Sequence, residues 1–440
     1  MLRWRGCHRA AAVAAAVFAS PLAALAQGIF LPSAGAVNSG MAGASTAVAV
    51  DAAGASYWNP ATIRALKRSE VYFGVQGVYA DTNLSSTLEA GAIGGVFPAT
   101  TQHGANNSNS GLSALPVASM VYQPDDSFLT YGFSFFTLGA GGVNFPGNAN
   151  NPVLAPNNPP PPLNANTSFG VGPIYSSAVV FQIAPLVSAQ LTDRLAIGAG
   201  PTADVMLLSI APAFFAPPDD ANGDGIGNFP AATNGRPFWG GGYQVGLLYG
   251  LGPSFDVGFS YKSPQWFGRP EWNSSDETGA ARDVTRDLRL PYILSLGFGY
   301  RGIARTVLAA DVRYFDYAGA TPFGIPTSQG GLTWDSIFAV ALGVRHHLTN
   351  RVHLTAGYLF NENPVPDAVT QYNVQSPAIN RHTLFVGGSL QLAPPIRLDV
   401  SAAHGFRESI SGPIEQVPGM TVTVDQNVTA LIAGLTVTFR

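Results

Sequence analysis

An all-β fold, a transmembrane antiparallel up-and-down β-barrel of about 14 strands with an N-terminal hatch in its lumen, is what this sequence predicts. Three observations predict it. Apolar and polar residues alternate with a period of two through most of the chain beyond residue 69; the connections between these segments are short and long by turns; and only 11% of the 440 residues are charged, under half the share of about 25% in a soluble globular protein. The composition also closes off other classes. With 26 Phe, 15 Tyr and 6 Trp, the chain is too apolar to stay disordered. Helical membrane spans are not expected either, because the most apolar long run, 174–191, contains Gln182, Pro185 and Ser188.

The elements follow in chain order. Arg3, Arg5 and Arg9 form a basic start, Ala10 to Ala19 an apolar core, and Ala24-Leu25-Ala26 a small-x-small cleavage site, so residues 1–26 read as a cleaved secretory signal. Gln27 then becomes the first mature residue. The one cysteine, Cys7, leaves with the signal, which rules out a thiolate metal site or a cysteine nucleophile in the remainder. A formal net charge of −4 with only Lys67 and Lys262 as lysines carries no nucleic-acid footprint. Residues 27–68 do not alternate: Gly35, Gly40, Gly43 and Gly54 punctuate a run of Ala, Ser and Val that ends in Asn59-Pro60-Ala61 before Arg64, Lys67 and Arg68. A barrel of this size has a lumen that its own side chains do not fill, and this segment of small residues is the expected plug.

From residue 69 the dyad pattern takes over, and 69–440 is assigned to the barrel. Val352, Leu354, Ala356, Tyr358 and Phe360 share one face, His353, Thr355 and Gly357 the other, as a strand between lipid and lumen requires. Comparable segments are 69–80, 113–123, 127–139, 174–190, 194–210, 236–251, 254–268, 288–301, 304–317, 332–348, 351–361, 380–392, 395–409 and 424–439. Tight turns such as Thr192-Asp193 and Thr349-Asn350 alternate with long Gly/Pro/Asn-rich loops such as 140–173 and 211–235. One end of the array therefore carries tight turns and the other large loops, the arrangement of an outer-membrane barrel with both termini on the periplasmic side. A soluble β-sandwich would alternate too, but with strands of about 5–6 residues. Tyr243, Tyr261, Tyr292, Tyr300, Trp266 and Trp334 near strand ends are expected to supply interfacial girdles. The last strand ends in Phe439, the aromatic end that outer-membrane assembly machinery reads, and Arg440 departs from that pattern.

The run Asn38-Ser39-Gly40-Met41-Ala42-Gly43-Ala44-Ser45-Thr46-Ala47, then Asp51-Ala52-Ala53-Gly54-Ala55 and Tyr57-Trp58-Asn59-Pro60-Ala61, is similar to the hatch of the FadL/TodX family of outer-membrane transporters for long-chain fatty acids and other hydrophobic compounds. The resemblance implies passive uptake: capture among the outer loops, transfer to a lumenal site touching the mature N-terminus, and lateral release at a kink in the third strand. It implies substrate contacts at Gly28, Ile29 and Phe30, a hatch pinned by Asn59, Pro60 and Ala61, and a third-strand irregularity at Gly132 or Gly139, with Gly141 and Gly142 as further candidates. An ordinary strand end running into a loop accounts for those glycines equally. The implied partners are a hydrophobic small molecule, outer-membrane lipid and lipopolysaccharide, and the barrel assembly machinery. The expected location is the outer membrane of a Gram-negative bacterium, as a monomer with no cofactor.

Other constellations are weaker. Phe214, Phe215, Trp266 and Phe267 put aromatic area into or next to long loops, either to pack the loops together or to form a collecting surface. Asp220, Asn222 and Asp224 open like a calcium loop, but Ala231 stands where the closing Glu belongs, so a polar loop without metal is expected. Lys262, Arg313, Arg345, Arg397, His353 and His382 are assigned to the lumen face, with Asp311–Arg313 and Arg397–Asp399 as pairs along a strand. No Gly-x-Ser-x-Gly elbow is present, so no enzyme is expected. An open porin, or a structural or adhesive barrel, is the alternative; a porin lacks a hatch and conducts freely.

Overall fold

The fold is a single antiparallel sheet closed on itself, in a computed structural model that describes residues 27–66, 68–158, 168–234 and 236–439. The expected signal segment, Lys67 and Arg440 lie outside the described residues. Fourteen strands follow in order: β1 (Ser69–Leu88), β2 (Gln102–Asn107 and Leu112–Tyr122), β3 (Leu129–Phe145), β4 (Ile174–Thr192), β5 (Leu195–Ala211), β6 (Phe238–Gly250), β7 (Phe255–Lys262 and Gln265–Phe267), β8 (Arg289–Leu290 and Ile293–Tyr300), β9 (Thr306–Phe315), β10 (Ile337–His347), β11 (Val352–Asn361), β12 (His382–Ala393), β13 (Ile396–Pro413) and β14 (Met420–Phe439). Each pairs with the next, and β14 returns to β1 along the whole of both strands, from Ser69↔Phe439 to Leu88↔Met420.

Every expected segment contains a strand, but several run further than the pattern of greasy residues. β1 continues from residue 80 to Leu88 and β13 from 409 to Pro413. Asp81, Asn83 and Ser85 belong to that extension. The ladder of backbone hydrogen bonds continues where the outward face meets water instead of lipid, so hydropathy fades before the strand ends.

The two faces separate as the dyad requires. On β1, Phe73, Val75 and Tyr79 are exposed to the outside while Tyr72, Gln76 and Val78 are buried in the lumen. Neighbouring rings join Trp266, Tyr243, Tyr261, Tyr292, Tyr314 and Phe338 at 5.1–6.4 Å between centroids, a belt along the long-loop end of β6 to β10. Two assignments change. Trp334 is not in a girdle: it is 2% exposed, packs on Tyr317 and Phe323, and donates Nε1–H to Asn373 Oδ1. His382 shares its face with the outward Leu384 and Val386 and meets the Tyr358 hydroxyl, so it belongs to the outer surface.

The hatch occupies the lumen. It holds two short helices, α1 (Ala36–Gly40) and α2 (Ala52–Trp58), which dyad counting could not find. Asp51 caps α2 by accepting the Gly54 N–H at 2.7 Å. Asn59 then ends it and caps a 3₁₀ turn, Pro60–Ala65, whose first position takes proline because no amide partner is needed there. The wall fits this plug through missing side chains: a Cβ on Gly246 would stand 1.9 Å from Asn59 Oδ1, and one on Gly258 1.9 Å from the Thr46 carbonyl. These glycines serve close backbone approach, not a special turn.

Candidate functional site: the hatch tip and two apolar cavities

The hatch is fixed to the wall by a buried ion pair on β9. Asp311 Oδ2 accepts the amides of Ser45 and Thr46 at 2.9 and 3.1 Å and the Thr46 hydroxyl at 2.8 Å, and it pairs with Arg313 at 2.7 Å. Arg313 donates onward to the Gly43 carbonyl and lies 3.7 Å over the Trp58 ring. Both side chains are inaccessible to water. A second tie uses Asn59, whose Nδ2 donates to the carbonyls of Thr46 at 2.7 Å and of Leu247 on β6 at 3.0 Å. Pro60 and Ala61 lie beside it against β5, where a Cβ on Gly198 would stand 2.4 Å from the Pro60 carbonyl carbon.

The chain ahead of α1 forms the hatch tip. Gln27 and Phe30 exchange backbone hydrogen bonds across a tight turn in which Gly28 has φ +67°. Tyr317 clasps this turn, its hydroxyl donating to the Gln27 carbonyl at 2.7 Å and accepting the Ile29 N–H at 3.0 Å. A side chain on Gly28 would run into the phenol. Burial holds the Tyr317 phenol above the usual tyrosine range, so it stays a donor. Phe30 is 1% exposed, 5.8 Å from the Phe315 ring and 6.4 Å from Tyr317.

The tip docks on an irregularity of β3. The ladder between β3 and β4 shifts register between Thr137 and Gly139, the extra residue of a β-bulge. Leu31 donates to the Leu138 carbonyl at 3.0 Å, the Tyr57 hydroxyl to the same carbonyl at 3.2 Å, and Phe30 bridges to Gly139. Toward β2, by contrast, β3 is paired only from Tyr131 to Phe136, so its edge beyond is free for the tip. Gly132 stands in the regular ladder, opposite Leu186 and Val121.

Between the tip and the outer loops lie two cavities. The inner one, of 120 Å³, is lined by Gly28 and Ile29, by Gly139 to Gly142 of β3, by Ala178 and Val180 of β4, by Met206 and Leu208 of β5, and by loop residues that include Pro322, Phe323 and Gln375. None of its lining residues is charged. The outer one, of 80 Å³, shares Leu208, Ile210, Leu288, Pro322 and Leu332 with it and adds Phe214, Phe215, Trp272, Arg286 and Tyr372. Its one cation, Arg286, lies 5.9 Å over the Phe215 ring, and burial pulls its guanidinium below the usual arginine range.

The predicted residues therefore divide. Gly28, Ile29 and Gly139 meet at the inner cavity and Phe214 and Phe215 at the outer one. Phe30 packs behind the tip against the β9 end, Phe267 turns partly into the core, and Trp266 is 47% exposed in the outer aromatic belt. Asp220, Asn222 and Asp224 spend their oxygens on their own loop, accepting the amides of Gly225, Asp224 and Ile226. Among the described residues no three acidic, His or Cys side chains gather as a metal site. Sequence reading missed Tyr317 and the 375–378 segment, since neither belongs to a repeating pattern. The lumen charges are spent on structure: Arg397 pairs with Asp399 at 2.7 Å, Lys262 donates to Gln182 at 2.9 Å, and Arg345 donates to the Val50 carbonyl at 3.0 Å.

A search of curated proteins finds no match. Among solved structures, the P. putida toluene transporter TodX is similar at 18% identity and a TM-score of 0.67, over 93% of this chain and 99% of that one. A Pseudomonas aeruginosa FadL homologue is similar at 15% identity and 0.67, over 94% and 100%. The Ralstonia pickettii toluene transporter TbuX follows at 14% and 0.65, over 93% and 99%. These likenesses establish the fold, while residues 16–148 and 164–440 match a family described as outer membrane protein transport protein. The closed barrel, its lumenal hatch and that match over nearly the whole length together make this chain a member of the OMPP1/FadL/TodX family of the outer membrane.

Proposed function

We propose that the protein is a passive channel for small hydrophobic compounds, with monoaromatic hydrocarbons as its best cargo. The uncharged inner cavity carries this reading. Its 120 Å³ is close to the engineered apolar cavity of about 150 Å³ that stays dry and takes up benzene. A carboxylate buried there would have no cation among the lining residues, at a desolvation cost of several kcal/mol, which favours hydrocarbons over fatty acids. An apolar solute gains about 0.8 kcal/mol per buried CH₂ on leaving water, so a dry, greasy route serves it where a water-filled pore does not. The shared wall of Leu208, Leu288 and Pro322 supports a two-step path from the outer cavity inward. The limited β2–β3 pairing supports release sideways, once Leu31 and the Tyr57 phenol leave the Leu138 carbonyl. The names of the two similar toluene transporters agree with this cargo.

Filling the inner cavity tests the reading. Ala178→Phe should lower toluene binding and uptake at least tenfold, since the added ring takes the ligand's volume, while the purified protein keeps its heat-modifiable migration. A correctly folded A178F protein that takes up toluene at the wild-type rate would remove the inner cavity from the path.

A further inference from the structure

We infer that the mature amino terminus is not a free amine but a pyroglutamate closed from Gln27. The inference does not depend on the cargo; it rests on cleavage after Ala26, as the Ala24-Leu25-Ala26 site directs. Cleavage there leaves Gln27 first in the chain, with 0% of its surface exposed, in the lumen beside Tyr317. An α-amine has an ordinary pKa of about 7.7–8.0 and enters a neutral compartment largely protonated. An ammonium buried at this point has no carboxylate to meet, because the adjoining cavity has no charged lining residue and the turn offers one acceptor, the Phe30 carbonyl at 3.2 Å. Such a charge is strongly disfavoured. The side-chain amide adds to the problem, since neither Oε1 nor Nε2 of Gln27 has a hydrogen-bond partner.

One intramolecular reaction resolves both. The unprotonated α-nitrogen attacks Cδ of the same residue, the new N–Cδ bond closes a five-membered lactam, the Cδ–Nε2 bond breaks, and the amide nitrogen leaves with the transferred proton as ammonia. No oxidant or other reactant is needed. The product nitrogen is a secondary amide with a single hydrogen, so it keeps the hydrogen bond to the Phe30 carbonyl. The charge is gone, and Nε2 leaves with the ammonia. The terminus beside an apolar cavity becomes as neutral as its surroundings.

Mass spectrometry of the full-length protein, expressed with its own signal and purified from outer membranes, decides the matter. Digestion before Asp51 releases the peptide 27–50, and it should be lighter than the linear sequence by one ammonia in most molecules. A synthetic linear peptide of that sequence, carried through the same steps, should remain linear. Reductive methylation of the protein in denaturant, before digestion, should leave residue 27 unlabelled. The Gln27→Asn variant, whose shorter side chain cannot close a five-membered lactam, should show a methylated α-amine and no loss of mass. Four results overturn the proposal: a linear, methylated Gln27 in the wild type, a start at any other residue, cyclisation no greater than in the synthetic peptide, or the same mass loss in Q27N.

Discussion

Asp311→Ala should turn a closed barrel into a conducting one. That carboxylate is the meeting point of two hatch amides, a hatch hydroxyl and Arg313, and both charges are inaccessible to water. Removing one member of such a pair leaves the other buried and uncompensated, a penalty of about 3–5 kcal/mol, and here it falls on the contact between hatch and wall, not on strand pairing. Single-channel conductance in planar bilayers should therefore rise toward that of a protein lacking residues 28–61, the fully open limit, while both barrels still migrate as heat-modifiable bands. Asp311→Asn keeps an acceptor oxygen and should fall between. If D311A conducts no more than the wild type, the hatch is held chiefly by Asn59 and by shape.

Phe30→Ala should weaken toluene binding by roughly ten- to a hundredfold, the equivalent of about 1.5–3 kcal/mol of lost burial. Phe30 acts from behind the cavity: its ring is wedged against Phe315 and Tyr317, and that wedge holds Gly28 and Ile29 in the cavity lining. Truncation frees the tip from its wall, so the ligand loses one side of its enclosure. Barrel assembly should survive, because Phe30 makes its ladder contact only as an isolated bridge to Gly139. Fluorescence or radiolabel titration of detergent-purified protein, with heat modifiability checked on the same samples, measures the effect. Wild-type affinity in a properly folded F30A protein would mean that the tip does not shape the site.

What the sequence made legible was what repeats. The dyad located fourteen strands, and strand parity alone put Asp311 with Arg313 and Arg397 with Asp399 on lumenal faces where they pair. Parity also went wrong once, at His382, because the polarity of imidazole was read ahead of the register that makes it a neighbour of Leu384. Trp334 misled for a related reason: a tryptophan just before a strand resembles a girdle residue in one dimension, and only packing against Tyr317 and Phe323 shows that its loop folds inward. Tyr317 follows the end of β9 and touches residues some 290 positions away. No local pattern encodes a contact at that separation. The helices of the hatch escaped for another reason, being one or two turns long and buried on all sides, so they carry no polar face to reveal a helical period.

The barrel can also be regarded as a hoop under tension, and one link in it is thin. The seam between β14 and β1 is stitched through twenty residue pairs, whereas β2 and β3 share only the six from Val117↔Phe136 to Tyr122↔Tyr131. Load applied around such a hoop concentrates where the cross-section is smallest. Lateral pressure from the bilayer, or an outward push from a molecule lodged beside Gly139 to Gly142, therefore strains this link before any other. The bulge at Leu138 lies just beyond its end, so an opening can widen there without undoing a single pair of the seam. Thickness of the host membrane becomes a control on traffic: a thinner bilayer that compresses the wall should loosen this link first and change release more than capture.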